Sequence, residues 1–137
     1  MKGEAMDAAI EAAQVFEMDG FPVVTFRNEA IRPGYATRWA REMEALVARA
    51  EAFVLLFLPE RPQETLEDRK QRALWLKSNK DALSEHCLAL ITVEPDPQER
   101  AQAAKEAQAM QKAFGLLLVS VASEDEARDL ARNLLAA

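Results

Sequence analysis

Two hydrophobic periods alternate along this chain, and their order lays out its elements. In "VFEMDGFPVVTF" (15–26) two β-prone runs flank Asp19-Gly20, a dipeptide that tolerates the positive φ of a two-residue type I′ turn, so a hairpin is predicted there. Pro22 has no N–H to give to a ladder and belongs near the start of the second strand. The period then becomes helical: Trp39, Met43, Leu46, Val47 and Ala50 fall at i, i+4, i+7, i+8 and i+11, which predicts a helix over 35–50. "AFVLLFLP" is apolar throughout, the mark of a central strand covered on both faces, and Pro59 closes it.

The same alternation continues to the end. Thr65 with Asp68 three residues on is a capping pair, with Asp where Glu or Gln is usual, and opens a helix over 65–85. "CLALITVEP" reads as another buried strand. Asp96-Pro97-Gln98-Glu99 then combines an N-cap, a proline at the first helical position and a glutamate at the third, starting a helix with Ala103, Ala107, Met110 and Phe114 as its inner face and Gly115 as its C′ residue. "LLLVSVA" follows as a strand, and the capping box Ser123 to Glu126 opens a last helix bearing Ala127, Leu130, Ala131 and Leu134. The sum is an α/β fold, an N-terminal β-hairpin followed by alternating helix and strand. Right-handed crossovers make such a sheet mostly parallel with one antiparallel edge strand. Residues 1–13 are an Ala-rich segment expected to form a short helix or to fray, and 14–137 are expected to form a single α/β domain.

The hairpin "VFEMDGFPVVTF" followed by three strand-helix units resembles STAS domains, the SpoIIAA-like fold of bacterial anti-sigma factor antagonists, over about residues 14–136. The resemblance implies a regulatory, protein-binding role without catalysis. Regulated members carry a phosphorylatable serine in an Asp-Ser-Ser/Thr-Gly-type motif at the start of the helix after the first central strand. Here that place reads "PERPQETLED", with Thr65 the sole hydroxyl, so the motif is absent and a plain N-cap is the favoured role for Thr65.

Composition narrows the function further. Seventeen Lys and Arg against 23 Asp and Glu give a net charge of −6, which repels phosphate backbones and argues against nucleic acid as a partner. The apolar runs 52–58 and 116–122 are strand-sized, well short of the ~20 residues of a membrane span. A single cysteine excludes an internal disulfide, and "MKGEAMDAAIEAAQ" lacks the continuous apolar core of a secretory signal, so a cytoplasmic location is expected.

The stretch 60–87 gathers charge, Trp75 and the lone His86 and Cys87. Adjacent positions on a helix point about 100° apart, which spoils His86 and Cys87 as a nucleophile-base pair, and a buried Cys at a helix-strand junction is the favoured reading. One His, one Cys and scattered acids make no metal-ligand spacing. Counting about 100° per residue from Leu66 sets Trp75 about 180° away, outward, where Arg72 and Asn79 flank it at i−3 and i+4 as in an interface hot spot. Arg69, Lys70, Arg72, Lys77 and Lys80 are interleaved with acids and read as a solvated helix surface. Tyr35 and Trp39 are expected to pack at the first helix.

Parallel sheets bind ligands beyond the carboxyl ends of their strands, which draws a pocket from Arg27, Asn28, Glu60, Arg61, Glu94, Asp96 and Ser123, the last two with capping duties as well. Two readings follow. The first is a non-catalytic cytosolic regulatory or protein-interaction domain of STAS-like type, docking on a protein partner or a second copy through the helix of residues 65–85 around Trp75, Arg72 and Asn79. The second is a small-ligand-binding or enzymatic α/β domain with its site around Arg27, Asn28, Arg61 and Glu94, which predicts that Arg27 and Arg61 converge. No residue is assigned a catalytic role, and no cofactor or metal is implied.

Overall fold

The structure, a computed structural model, describes residues 14–137. The expectation of a short helix or frayed end over 1–13 lies outside the described residues.

A five-stranded sheet organises the chain, with strands in the order β1 (Phe16–Glu17), β2 (Val23–Phe26), β3 (Phe53–Phe57), β4 (Cys87–Val93) and β5 (Leu118–Val121). β1 is antiparallel to β2 and every other neighbouring pair is parallel. The linking helices are α1 (Ala36–Ala48), α2 (Leu66–His86) and α3 (Pro97–Phe114), and α4 (Glu124–Ala136) follows the last strand. No helix among the described residues is long and apolar enough to cross a membrane.

Strand order equals chain order, so each parallel connection steps the same way across the sheet, and right-handed crossovers place their helices on one face. The buried side chains sort accordingly. Phe53 and Leu55 of β3 meet Trp39, Met43 and Leu46 of α1 and Trp75 and Leu83 of α2. Val54 and Leu56, pointing the other way by the two-residue period of a strand, meet Ala127 and Ala131 of α4. That is why "FVLLF" is apolar at every position. At the start of β4 the register slips between Phe53–Cys87 and Val54–Ala89, and Leu88 becomes the extra residue of a bulge. The slip lets Cys87 join the first core and Ala89 the second.

The hairpin forms, but not with a two-residue turn at Asp19-Gly20. Glu17 pairs with Thr25 and Phe16 with Phe26, and the connection is built from two successive turns closed by Phe21 N–H to Met18 C=O and Val23 N–H to Gly20 C=O. A tight turn would set Pro22, which has no N–H, opposite Glu17; the observed register instead brings the Phe16 and Phe26 rings edge to face at 5.6 Å. Pro22 precedes β2 as expected, and its carbonyl accepts from Val54 N–H.

Capping follows the sequence signals. Thr65, Asp96 and Ser123 accept at the N-termini of α2, α3 and α4, and Gly115 ends α3 at φ 68°. Met110, expected on the inner face of α3, is exposed.

Candidate functional site

The parallel strands end together on one side of the sheet, and there Phe26, Phe57 and Thr92–Glu94 of β2, β3 and β4 and the β3–α2 loop enclose an open cleft of about 680 Å³. The loop's backbone is unusual for its sequence. Pro59 stops β3 and Glu60 takes φ 63°, a left-handed conformation that costs a non-glycine residue about 1–2 kcal/mol. Asn28, in a short 3₁₀ turn after β2, donates its Nδ2–H to Pro59 C=O at 2.9 Å and ties the loop to the neighbouring strand end.

Two carboxylates hold the loop against the helices. Asp68 is buried and accepts from Gly34 N–H at 2.9 Å, Ala36 N–H at 3.2 Å and the Thr65 hydroxyl at 2.8 Å. It therefore satisfies donors at the start of α1 while lying in the first turn of α2. Burial pushes its carboxyl up, but these hydrogen bonds outweigh burial and leave it below its ordinary value. The Thr65 hydroxyl also accepts from Asp68 N–H at 3.1 Å, the N-cap role read from sequence.

Glu64 is the second. Its Oε2 accepts from the Tyr35 hydroxyl at 2.5 Å and from Arg72 Nε at 2.8 Å, its Oε1 accepts from Arg72 Nη2, and Arg69 Nε lies 3.9 Å away. Burial raises the Glu64 carboxyl, and the hydrogen bonds from Arg72 and Tyr35 more than reverse it, leaving it below the usual range. The Tyr35 phenol is pushed well above its ordinary value by burial and by its bond to Glu64, so it is a neutral hydroxyl donor. Phe26 and Phe57, ring centroids 5.5 Å apart, give the cleft an aromatic wall, and the Arg61 guanidinium stands 5.3 Å over the Phe57 ring. Partial desolvation and the like charge of Arg72 lower the Arg61 pKa. Arg61 is an exposed residue that lines the cleft, and among the described residues it forms no ion pair.

The candidates read from sequence divide between two places. Arg61, Glu60 and Glu94 line the cleft; Arg27 and Asn28 do not, and the expected convergence of Arg27 with Arg61 is absent. The Arg27 backbone N–H donates to Val15 C=O, and Asn28 serves the loop through its bond to Pro59 C=O. Trp75 is corrected too: only 9% exposed, it packs on Trp39 and donates Nε1–H to Glu44 Oε1 at 3.2 Å. Leu66, from which the helical count sets out, is itself 64% exposed. The inner stripe of α2 is Asp68, Arg72, Trp75, Asn79 and Leu83, headed by polar groups that serve the cleft, so apolar residues alone misplace its axis. Arg72 and Asn79 do share a face with Trp75, but an inward one, and Asn79 Nδ2 donates to Trp75 C=O at 2.8 Å.

The cleft also contains Tyr35 and Arg69, which the sequence assigns to packing and to the solvated surface, and Glu64, for which it offers no role. Nothing local pairs Glu64 with Arg72 or Tyr35, because the contacts join a loop to two different helices. Cys87 is buried where α2 passes into β4, and burial pushes its thiol up to about 12, the inert cysteine that its position predicted. No group of three or more His, Cys, Asp or Glu among the described residues has the proximity to hold a metal ion.

Mixed sheet, chain-order strands and a strand-end cleft define the class as an α/β protein with a polar, arginine-bearing site. A scan against protein-family models finds no match, and searches of curated proteins and of solved structures find none either.

Proposed function

We propose that the protein is a small-ligand-binding α/β domain that takes an anionic ligand with an apolar body in the strand-end cleft. The observation that carries this reading is the Arg61 guanidinium, which lines a cleft of about 680 Å³ beside its aromatic wall and, among the described residues, forms no ion pair. A guanidinium beside an aromatic face meets an acid group while the ring meets its hydrocarbon. The cleft's other polar groups are charged side chains, the Gln63 amide and the hydroxyls of Tyr35, Thr65 and Thr92, with Tyr35 and Thr65 donating to carboxylates, an arrangement that favours binding over chemistry. The STAS-like resemblance belongs to the same proposal, supported by the antiparallel edge hairpin and the parallel strands in chain order. A cytosolic setting fits the single thiol held buried and unpaired.

The test is a thermal-shift panel of small mono- and dicarboxylates and phosphates on the wild type and Arg61→Ala. A ligand at about 100 times its Kd stabilises by about 2.7 kcal/mol, a shift of several degrees. The expected result is a carboxylate-dependent rise in Tm that Arg61→Ala abolishes; ligand shifts of equal size in the variant would sink the reading.

Docking through α2 keeps support as a second reading from another residue pair. Leu66 and Leu74, 64% and 67% exposed, lie two turns apart on its outer face. Sedimentation of Leu74→Asp against the wild type tests it, and an unchanged, monomeric profile for both removes the self-association arm.

A further inference from the structure

Glu64 occupies a receptor built for a carboxylate. One guanidinium fork, from Arg72, meets both of its oxygens; the Tyr35 hydroxyl adds a donor to Oε2 at 2.5 Å, and Arg69 stands 3.9 Å from Oε1. Tyr35 and Arg72 are anchored without Glu64, whereas the Arg69 side chain is 75% exposed. Tyr35 begins α1, whose first N–H groups Asp68 holds, and the Arg72 guanidinium lies over the Trp39 ring at 5.6 Å on the inner stripe of α2. Glu64 itself belongs to the cleft-lining loop, one residue before the α2 N-cap. The Tyr35 and Arg72 donors are thus held on packed helices while the acceptor is carried by a connecting segment.

Resting on the ligand-binding reading, we propose that Glu64 is a tethered stand-in for the ligand, that Tyr35, Arg69 and Arg72 form a carboxylate subsite, and that a carboxylic acid entering the cleft displaces Glu64 from it. The group that the subsite holds is a carboxylate, so a ligand carboxylate reproduces its contacts at both oxygens. A tethered competitor presents itself at an effective concentration in the millimolar range, so it sets a threshold that only a ligand with further contacts, to the Phe26 and Phe57 wall and to Arg61, overcomes. The loop carrying Glu64 also lines the cleft, so displacement couples occupancy to loop position.

Calorimetric titration with butyrate and with inorganic phosphate tests this on the wild type, Glu64→Ala and Glu64→Gln. Glu64→Gln keeps the length of the side chain, so it serves if the alanine variant loses the fold. The expected result is butyrate binding at least tenfold tighter in the Glu64 variants than in the wild type, lost again when Arg72→Ala is added. Butyrate affinity within twofold of wild type in a folded Glu64 variant overturns the stand-in role, and a larger gain for phosphate than for butyrate overturns the carboxylate assignment. The two proposals separate cleanly. Carboxylate binding that needs Arg61 but ignores Glu64 leaves the cleft reading intact and removes this one, whereas no binding by any variant removes both.

Discussion

Trp75 stands edge-on to Trp39, ring centroids 5.3 Å apart and planes at 81°, and the pair locks α2 onto α1. Because each indole is nearly buried, Trp75→Ala is expected to cost about 3–5 kcal/mol, the range for emptying a large aromatic site, rather than to leave the fold untouched as a surface substitution does. Urea unfolding followed by far-UV circular dichroism measures it. A loss under about 1 kcal/mol contradicts the packing described.

Glu42 is a buried acid on the apolar face of α1. Its carboxylate accepts from Gln14 N–H at 3.1 Å, Val15 N–H at 3.1 Å and Phe16 N–H at 3.0 Å, and so fastens the segment entering β1 to the helix, with Arg38 Nε at 3.2 Å. Glu42→Gln turns an amide NH₂ toward N–H groups that need an acceptor. The expected loss is about 2–3 kcal/mol, with faster hydrogen exchange at the Val15 and Phe16 amides, against under about 0.5 kcal/mol for Glu51→Gln on the surface. Unchanged exchange at those amides counts against the role.

Acid sensitivity follows from Asp68. Its folded-state pKa lies below the ordinary value of 3.8, so the fold favours the anion. That contribution is complete above the ordinary value and is lost as pH falls through the lower, folded one. Glu64, depressed below 4.5, acts with the same sign. Asp68→Asn is therefore expected to melt below wild type at pH 7, the gap closing as pH drops from about 5 toward 2. A gap that is constant with pH rules out the linkage.

Ala50 and Gly115 share a left-handed backbone, φ 57° and 68°, just past the ends of α1 and α3. Ala50 bears the Cβ strain that Gly115 avoids, so Ala50→Gly is expected to stabilise by about 0.5–1 kcal/mol and Gly115→Ala to destabilise by about 1 kcal/mol. A Cβ at Gly115 meets nothing within 4 Å, so conformation alone sets that cost. Thermal melts of the two single variants, moving in opposite directions, provide the check.

Much of the fold was legible because its signals are local. The all-apolar "FVLLF" announced a strand with a helix on each side, and Asp96-Pro97 and Gly115 bracketed α3 from capping chemistry alone. The site was legible only in outline. Strand-end logic found Arg61 and Glu94, yet it also named Arg27, whose backbone is committed to Val15, and it passed over Glu64. Glu42 did leave a trace, a charge three residues after Trp39 and four before Leu46 on one apolar face, as a buried acid with partners must.

By itself, the sequence determined the order and type of the elements, their caps and the mostly parallel sheet, since each depends on residues a few positions apart. Tertiary structure alone decided which side of α2 faces in. The stripe running from Asp68 through Trp75 to Leu83 begins with groups whose partners, Gly34, Ala36 and Glu64, lie on another helix and in loops. A helical wheel weighs hydrophobicity along one helix, whereas a buried charge is stable only where distant donors meet it, and those are placed by the packing of the whole fold.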